Sequence, residues 1–391
     1  MEIRKMISNK SFLISFTILF FLIVCETAFG AEGINAGPLK IKPSVELKAG
    51  SDNNVYLATE DFAEDDTFFS LFPRVIIDLP YKGHLFSLDY GVEMRRYSEF
   101  DSEDVELQNF AFEGLLNVTS QFTVRLLERY KELAGDADEM LGRVEYSRNT
   151  AAISGAYEIN SKLSVEGEYG QTKYDYEDDI LIGRTDDQIN VTAIYNLYEK
   201  WGILGEVAHG EVDIEDTEND ASYNRILIGA RGNFTPKLSG LVKLGQEMRS
   251  YEGDREDSDS PYLAGEVTHQ VADDMSFTLG ANQQIVESIV YADNSYTETQ
   301  WRARLSKTFI DKVNVILSGY FQSNEYENDI LIGDISEKRE DDIWQAEIGV
   351  EYKLNKYTHL LAGYEHKVLD SNFNENDFEV DRFSIGARLE Y

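Results

Sequence analysis

Residues 85–96 read LFSLDYGVEMRR, and their parity decides the fold. Phe86, Leu88, Tyr90, Val92 and Met94 fall on one parity, and Ser87, Asp89, Gly91, Glu93 and Arg95 on the other. Successive side chains of an extended chain point to opposite faces, so the segment predicts a β-strand with one apolar and one polar face. Residues 345–354 repeat the pattern: Ala346, Ile348, Val350, Tyr352 and Leu354 alternate with Gln345, Glu347, Gly349, Glu351 and Lys353. Ile226, Ile228 and Ala230, and then Leu238, Val242 and Leu244, do the same. The alternation is looser elsewhere. Leu127, Ile194 and Leu241 sit on the polar parity, and the phase slips around 171–176.

The connections between such segments are of two kinds, in strict alternation. Short turns, among them PYKG (80–83), INSK (159–162), YEKW (198–201), TPK (235–237) and FIDK (309–312), carry lysine. Between them run longer connections that hold most of the 72 acidic residues, for example EFDSEDVE (99–106), DADE (136–139), DYEDDILIGRTDD (175–187) and EYENDILIGDISEKREDD (325–342). A closed up-and-down barrel puts all short turns on one rim and all long loops on the other. Greek-key crossings would scramble that segregation. The expectation is an all-β, antiparallel transmembrane β-barrel of 18 strands, from 41–50 to 378–391, with 16 as the alternative count.

Arg4, Lys5 and Lys10 precede the apolar run Ser11–Val24, and Ala28 and Gly30 have the small side chains of a signal-peptidase site. We therefore read 1–30 as a signal peptide cleaved near Gly30, 31–40 as a short periplasmic segment and 41–391 as the barrel. The single cysteine, Cys25, would leave with the signal peptide, so no disulfide framework or thiolate metal site is expected. The chain has 23 Tyr, 21 Phe, 28 Gly, only 6 Pro and a formal net charge of −36. That composition behind a signal peptide suits a barrel in the outer membrane of a Gram-negative bacterium. The final segment places Phe383, Ile385, Leu389 and Tyr391 on one face, the form of a C-terminal signal for the barrel assembly machinery.

The stretch 43–78, PSVELKAGSDNNVYLATEDFAEDDTFFSLFPRVIID, resembles the opening of the putative β-barrel porin 2 type. The matching elements are a first strand, the phrase Asp52-Asn53-Asn54-Val55-Tyr56, an acidic stretch, and a strand containing Pro73. The resemblance implies an outer-membrane barrel associated with exopolysaccharide export or assembly. From barrel size alone, a general diffusion porin is the alternative, and an enzyme or adhesive barrel with a closed lumen is a lesser one.

A barrel of this size leaves a water-filled interior. The inward parity offers Arg74, Arg95, Arg125, Arg129, Arg231, Arg249, Arg302, Arg304 and Arg388 against Asp89, Glu93, Glu113, Glu247, Glu347 and Glu351 as the lumen lining. Aromatics on this parity read as few. The acidic rim predicts a weak preference for neutral or cationic solutes, and contact with lipopolysaccharide through divalent cations. A polysaccharide is a further expected partner. No phosphate loop or metal spacing is present, acidity argues against nucleic acid, and no catalytic set accompanies the five histidines. No enzyme activity, cofactor or metal is expected.

One phrase recurs: YEDDILIG (176–183) and YENDILIG (326–333). Four hairpins separate the copies. Tyr176 and Tyr326 are expected in the outer aromatic girdle. The aliphatic triplets Ile180-Leu181-Ile182 and Ile330-Leu331-Ile332 are expected to fold over the mouth or against each other, because a loop tip would leave them in water.

Overall fold

The computed structural model describes residues 33–135, 139, 142–215, 220–253, 255–291, 293–332 and 335–391. The signal-peptide reading and most of DADE lie outside them. The strands are β1 (Ile34–Ala36), β2 (Leu39–Asp52), β3 (Asp66–Tyr81), β4 (His84–Tyr97), β5 (Val105–Asn117), β6 (Phe122–Gly135), β7 (Val144–Glu158), β8 (Leu163–Tyr176), β9 (Arg184–Asn196), β10 (Trp201–Ile214), β11 (Ala221–Thr235), β12 (Leu238–Tyr251), β13 (Ser258–Ala272), β14 (Met275–Glu287), β15 (Ser295–Phe309), β16 (Val313–Ile332), β17 (Ile335–Lys353), β18 (Thr358–Ser371) and β19 (Phe378–Glu390). From β2 onward each pairs antiparallel with its chain neighbour, and β19 returns to β2 from Arg382↔Asp52 to Glu390↔Ser44. The result is a closed ring of eighteen strands, with β1 folded back on the foot of β2. No helix among the described residues is long and apolar enough to cross a membrane.

Following the register once round the ring returns the chain to β2 an even number of residues along. One parity therefore faces inward on every strand, which is what lets a period of two be read consistently along the whole wall. Ile226, Ile228, Leu244, Trp301, Trp344 and Ile385 are exposed on the outer face, where lipid would cover them. The short-turn rim is tight. Lys82 and Gly83 both take positive φ, 49° and 86°, the geometry that joins twisted strands through two residues.

At the opposite rim the loops turn into the barrel. Four apolar clusters lie inside its mouth. Leu57 of the β2–β3 loop packs on Ile343, Leu369, Phe378 and Val380 of the inner wall. Val212, Ile214, Tyr223 and Tyr251 receive Ile182. Val144, Leu181 and Ile289 form a third cluster, and Tyr296, Tyr326 and Ile330 a fourth. Tyr176 and Tyr326 are thus not girdle residues. They share the inward parity of their strands, Tyr176 in the third cluster's shell and Tyr326 buried in the fourth. The reading of few inward aromatics is corrected for the same reason. Tyr97, Tyr146, Tyr174, Tyr223, Tyr251 and Tyr296 keep inward parity at the outer ends of strands, beyond the stretches where alternation is clean.

Outer-face burial in lipid gives a direct test of the parity. Ile228→Arg is expected to cost about 2–4 kcal/mol near the membrane midplane, read by reversible denaturant unfolding in lipid vesicles. Ser318→Arg, on the inward face, is expected to cost far less.

Candidate functional site: a lumen narrowed by inward loops

The first device narrowing the lumen is built on Asp52, at the outer end of β2 and fully buried. Its carboxylate accepts from Arg143 Nη2 at 2.7 Å, Arg382 Nε at 2.9 Å and the Tyr97 hydroxyl at 3.3 Å. Arg143, in the β6–β7 loop, also donates to the Val55 carbonyl at 2.5 Å. Asn54 reaches the Glu379 carbonyl at 3.0 Å. The phrase that carries the family resemblance is therefore a knot, tying the β2–β3 loop to β4, β19 and the β6–β7 loop.

The second device joins loops from distant hairpins. Ser288 Oγ donates to Glu139 at 2.6 Å, the Ile289 amide donates to Glu139 at 3.2 Å, and Arg339 Nη1 donates to the Glu139 carbonyl at 2.6 Å. The Ile182 amide donates to the Ile289 carbonyl at 2.9 Å, and Arg184 Nη1 donates to the Glu287 carbonyl at 2.8 Å. The third device is a buried chain of alternating charge on the inner face. Arg225 meets Glu247 at 2.7 Å, Arg249 meets Glu247 at 2.8 Å and Glu287 at 2.5 Å, and Arg255 meets Glu287 at 2.8 Å. Tyr223 lies under both Arg225 and Arg249, and Tyr251 under Arg255. Gly210 makes room for Tyr223: a Cβ there would sit 2.4 Å from its hydroxyl. Beneath these ties lies a cavity of ≈ 360 Å³ lined by Leu127, Tyr174, Arg184, Gln188, Arg249 and Val286 among others, so opposite walls border one space.

All the lumen residues expected from sequence fall on the inward parity, but they differ in state. Arg74 pairs with Asp89 at 2.8 Å, Arg95 with Glu93 at 2.7 Å, Arg129 with Glu113 at 2.8 Å, Arg231 with Glu166 at 2.7 Å and Arg388 with Glu351 at 2.8 Å. Glu347 accepts from Ser318 and Gln345. Glu247 is sealed within the third device and touches no open lumen. Arg125, Arg302 and Arg304 have no ion pair among the described residues. The guanidinium of Arg302 lies over Gly280, where a Cβ would meet Nε at 3.4 Å.

The two repeated phrases take different backbones. The first is the turn after β8, while the second continues β16 outward against β17, with Asp329↔Lys338 and Ile330↔Glu337 beyond a register shift. The expected loop 325–342 is thus largely a hairpin. Leu181, Ile182 and Ile330 pack inward, whereas Ile180 is 73% exposed and does not. The side chains of Leu331 and Ile332 lie outside the described residues. The triplets do not meet each other; both close on the β14–β15 segment, Leu181 on Ile289 and Ile330 beside Val286 and Tyr291. At the C-terminus Phe383, Ile385 and Leu389 face outward, and Tyr391 stacks on Tyr357.

Of the histidines, His209 faces outward beside Asn224, and His366 faces outward with Nδ1 2.9 Å from Asp381. His366, Glu379 and Asp381 bring three ligand atoms within 4.8 Å, a geometry that could hold a cation at the outer edge of the lipid belt. Sequence reading missed Asp52, Glu139, Arg143, Glu287 and Arg339. Lys131, Arg148 and Arg184 were within reach of it, since each keeps its strand's inward parity.

A closed eighteen-strand ring, apolar outside and charge-paired inside, with loops folded into one mouth, defines an outer-membrane barrel of porin type. The chain belongs to the "Putative beta-barrel porin 2" family, whose profile matches residues 27–391. Family and fold place it in the Gram-negative outer membrane. Among solved structures it is similar to the outer membrane protein opdK of Pseudomonas aeruginosa, at 12% identity over 90% of this chain and 99% of that one, TM-score 0.48. A BenF-like porin of Pseudomonas fluorescens Pf-5 gives the same identity, coverage and score. OccAB4 of Acinetobacter baumannii gives 13% identity over 90% and 98%, TM-score 0.47. No curated protein matches the chain.

Two variants test the ties. Asp52→Asn leaves Arg143 and Arg382 buried without their shared counter-charge, and is expected to destabilise the barrel by about 3–5 kcal/mol, measured by denaturant unfolding. Burial pushes the Glu139 carboxyl above its ordinary range, and the bonds from Ser288 and Ile289 only partly oppose this. The tied loop therefore holds a proton more tightly than the released loop, and the tie strengthens as pH falls through the raised value. Opening events in single-channel records are expected to become rarer toward acid pH, and Glu139→Gln to flatten that dependence.

Proposed function

We propose that the protein is a diffusion channel for small hydrophilic solutes, with its aperture set by loops folded into the ring. Eighteen strands at a tilt of about 40° enclose a backbone cylinder roughly 35 Å across, wider than wall side chains fill. The observation that carries the reading is the set of ties across that space. Glu139 to Ser288, Arg184 to Glu287 and Arg143 to Asp52 join elements far apart in the ring. They leave cavities of solute size lined by paired charges, amides and hydroxyls. Export of an exopolysaccharide, the function implied by the sequence resemblance, is not carried forward. A continuous polymer would have to displace these buried ties together.

Planar-bilayer recording tests the proposal. The expected result is ohmic single-channel conductance that small neutral polyethylene glycols reduce and large ones leave unchanged, the crossover giving the aperture. A purified, folded barrel that conducts nothing would defeat the reading. Asp52→Asn should move the crossover to larger glycols.

A further inference from the structure

The register sets His366 of β18 directly opposite Asp381 of β19, and Glu379 stands two residues from Asp381 on the same outward face. His366 Nδ1 lies 2.9 Å from an Asp381 oxygen and 3.9 Å from a Glu379 oxygen. One donor atom from each of the three residues falls within 4.8 Å of the other two. We propose that these side chains form a binding site for one divalent transition-metal ion, with Zn²⁺ the member of that class they fit. The inference goes beyond the channel reading and does not depend on what the lumen conducts.

The donor set selects the metal. An imidazole with two carboxylates suits Zn²⁺, whereas Mg²⁺ and Ca²⁺ take oxygen ligands. Ligands about 2.1 Å from a tetrahedral Zn²⁺ stand roughly 3.4 Å apart. The His366–Asp381 separation is shorter than that and the His366–Glu379 separation longer. Closing the set therefore asks for a small shift of Glu379, whose side chain is 62% exposed and free to make it. The fourth position stays open. Tyr364 and Phe383, two residues nearer the membrane centre on the same strands, are exposed on the lipid face. The open position therefore lies at the level of the lipid headgroups.

Metal ligands are held by partners of their own, which fix their orientation. Here the Trp344 ring packs on the His366 imidazole with centroids 4.7 Å apart. The Tyr364 hydroxyl donates to Asp381 at 2.6 Å. Asn53 grips Asp381 from the β2 side: its Nδ2 donates to the other carboxylate oxygen at 3.3 Å, and its Oδ1 accepts from the Asp381 amide at 2.6 Å. The phrase 52–56 thus steadies this outward cluster as well as the inward knot on Asp52. Charge also favours a cation. Neither β18 nor β19, nor the stretches of β17 and β2 paired with them, places a lysine or arginine on the outward face. Two carboxylates share one imidazole, and a metal ion supplies the missing positive charge. Its ligands come from two strands, so the ion also pins β18 to β19 beside the seam that closes the ring.

The test uses the full, untagged barrel in detergent, with ZnCl₂ as the probe in a calorimetric titration. The expected result is one Zn²⁺ per barrel, bound less tightly toward acid pH because the metal competes with protons for its ligands, and not displaced by millimolar Mg²⁺. His366→Ala and Glu379→Gln should each lower the affinity at least about tenfold. His209→Ala, at the outward histidine of β10, should leave it unchanged. Heat-modifiable migration on gels checks that every variant is folded. A folded wild type that takes up no Zn²⁺, uptake that Mg²⁺ displaces, or uptake that survives His366→Ala overturns the proposal.

Discussion

Closure is the constraint on which the rest depends. A strand in hydrocarbon cannot leave its amides and carbonyls unpaired, so an open edge is excluded and the last strand must find the first. The pairing of β19 with β2 does this. Because the ring closes on an even displacement, each strand keeps one parity inside and the other outside. Outward Ile226 and Ile228 and inward Arg225 and Arg231 are then not separate choices. Each strand is committed to one face for lipid and one for water, and the lumen chemistry follows from which residues the sequence places on the second face.

Closure also explains why loops enter the mouth. A ring this wide cannot fill itself from the wall, so its inner face at the outer end would expose Ile343, Leu369, Phe378 and Val380 to water. Leu57 and its loop cover them. The same loops bring Arg143 to Asp52 and Glu139 to Ser288. Burying a charge costs more than a surface ion pair returns, so each buried carboxylate is surrounded: Asp52 by two guanidiniums, a phenol and an amide, Glu287 by Arg249 and Arg255. These ties set an aperture because breaking one strands a buried charge.

The barrel was legible in the sequence because its signals are local. Period two, short turns, most with a lysine, and acidic loops recur along the chain, and except at the outer ends of β16 and β17 the strand ends fall within a few residues of where the pattern puts them. Inward parity identified Arg74, Arg95 and Arg388 as lumen residues for the same reason. The ties were not legible. Ser288 and Glu139 are 149 residues apart, and nothing in either stretch names the other. Tyr176 and Tyr326 were misplaced because an aromatic near a strand end suits either a girdle or a plug, and only the register decides. The repeated ILIG phrase shows the limit most clearly. The same Ile-Leu-Ile run forms a turn after β8 and extends a strand in β16, where Ile330 to Ile332 pair with β17.

The charge of the chain and the charge seen by a solute are different quantities. A formal −36 describes a molecule whose acids crowd the outer loops, while many of its arginines lie on the inward face. Most of those are neutralised by a nearby carboxylate, as Arg74 is by Asp89 on the adjacent strand and Arg388 by Glu351 two strands away. Selectivity is decided by the remainder. Among the described residues, Lys131, Arg148, Arg302 and Arg304 are inward cations without an ion pair, and Glu266, Glu298 and Glu347 are inward carboxylates without one; Glu266 and Glu347 share a cavity with Arg302 and Arg304. Net charge therefore predicts solubility and the character of the rim, while the narrow part of the path answers to these few side chains.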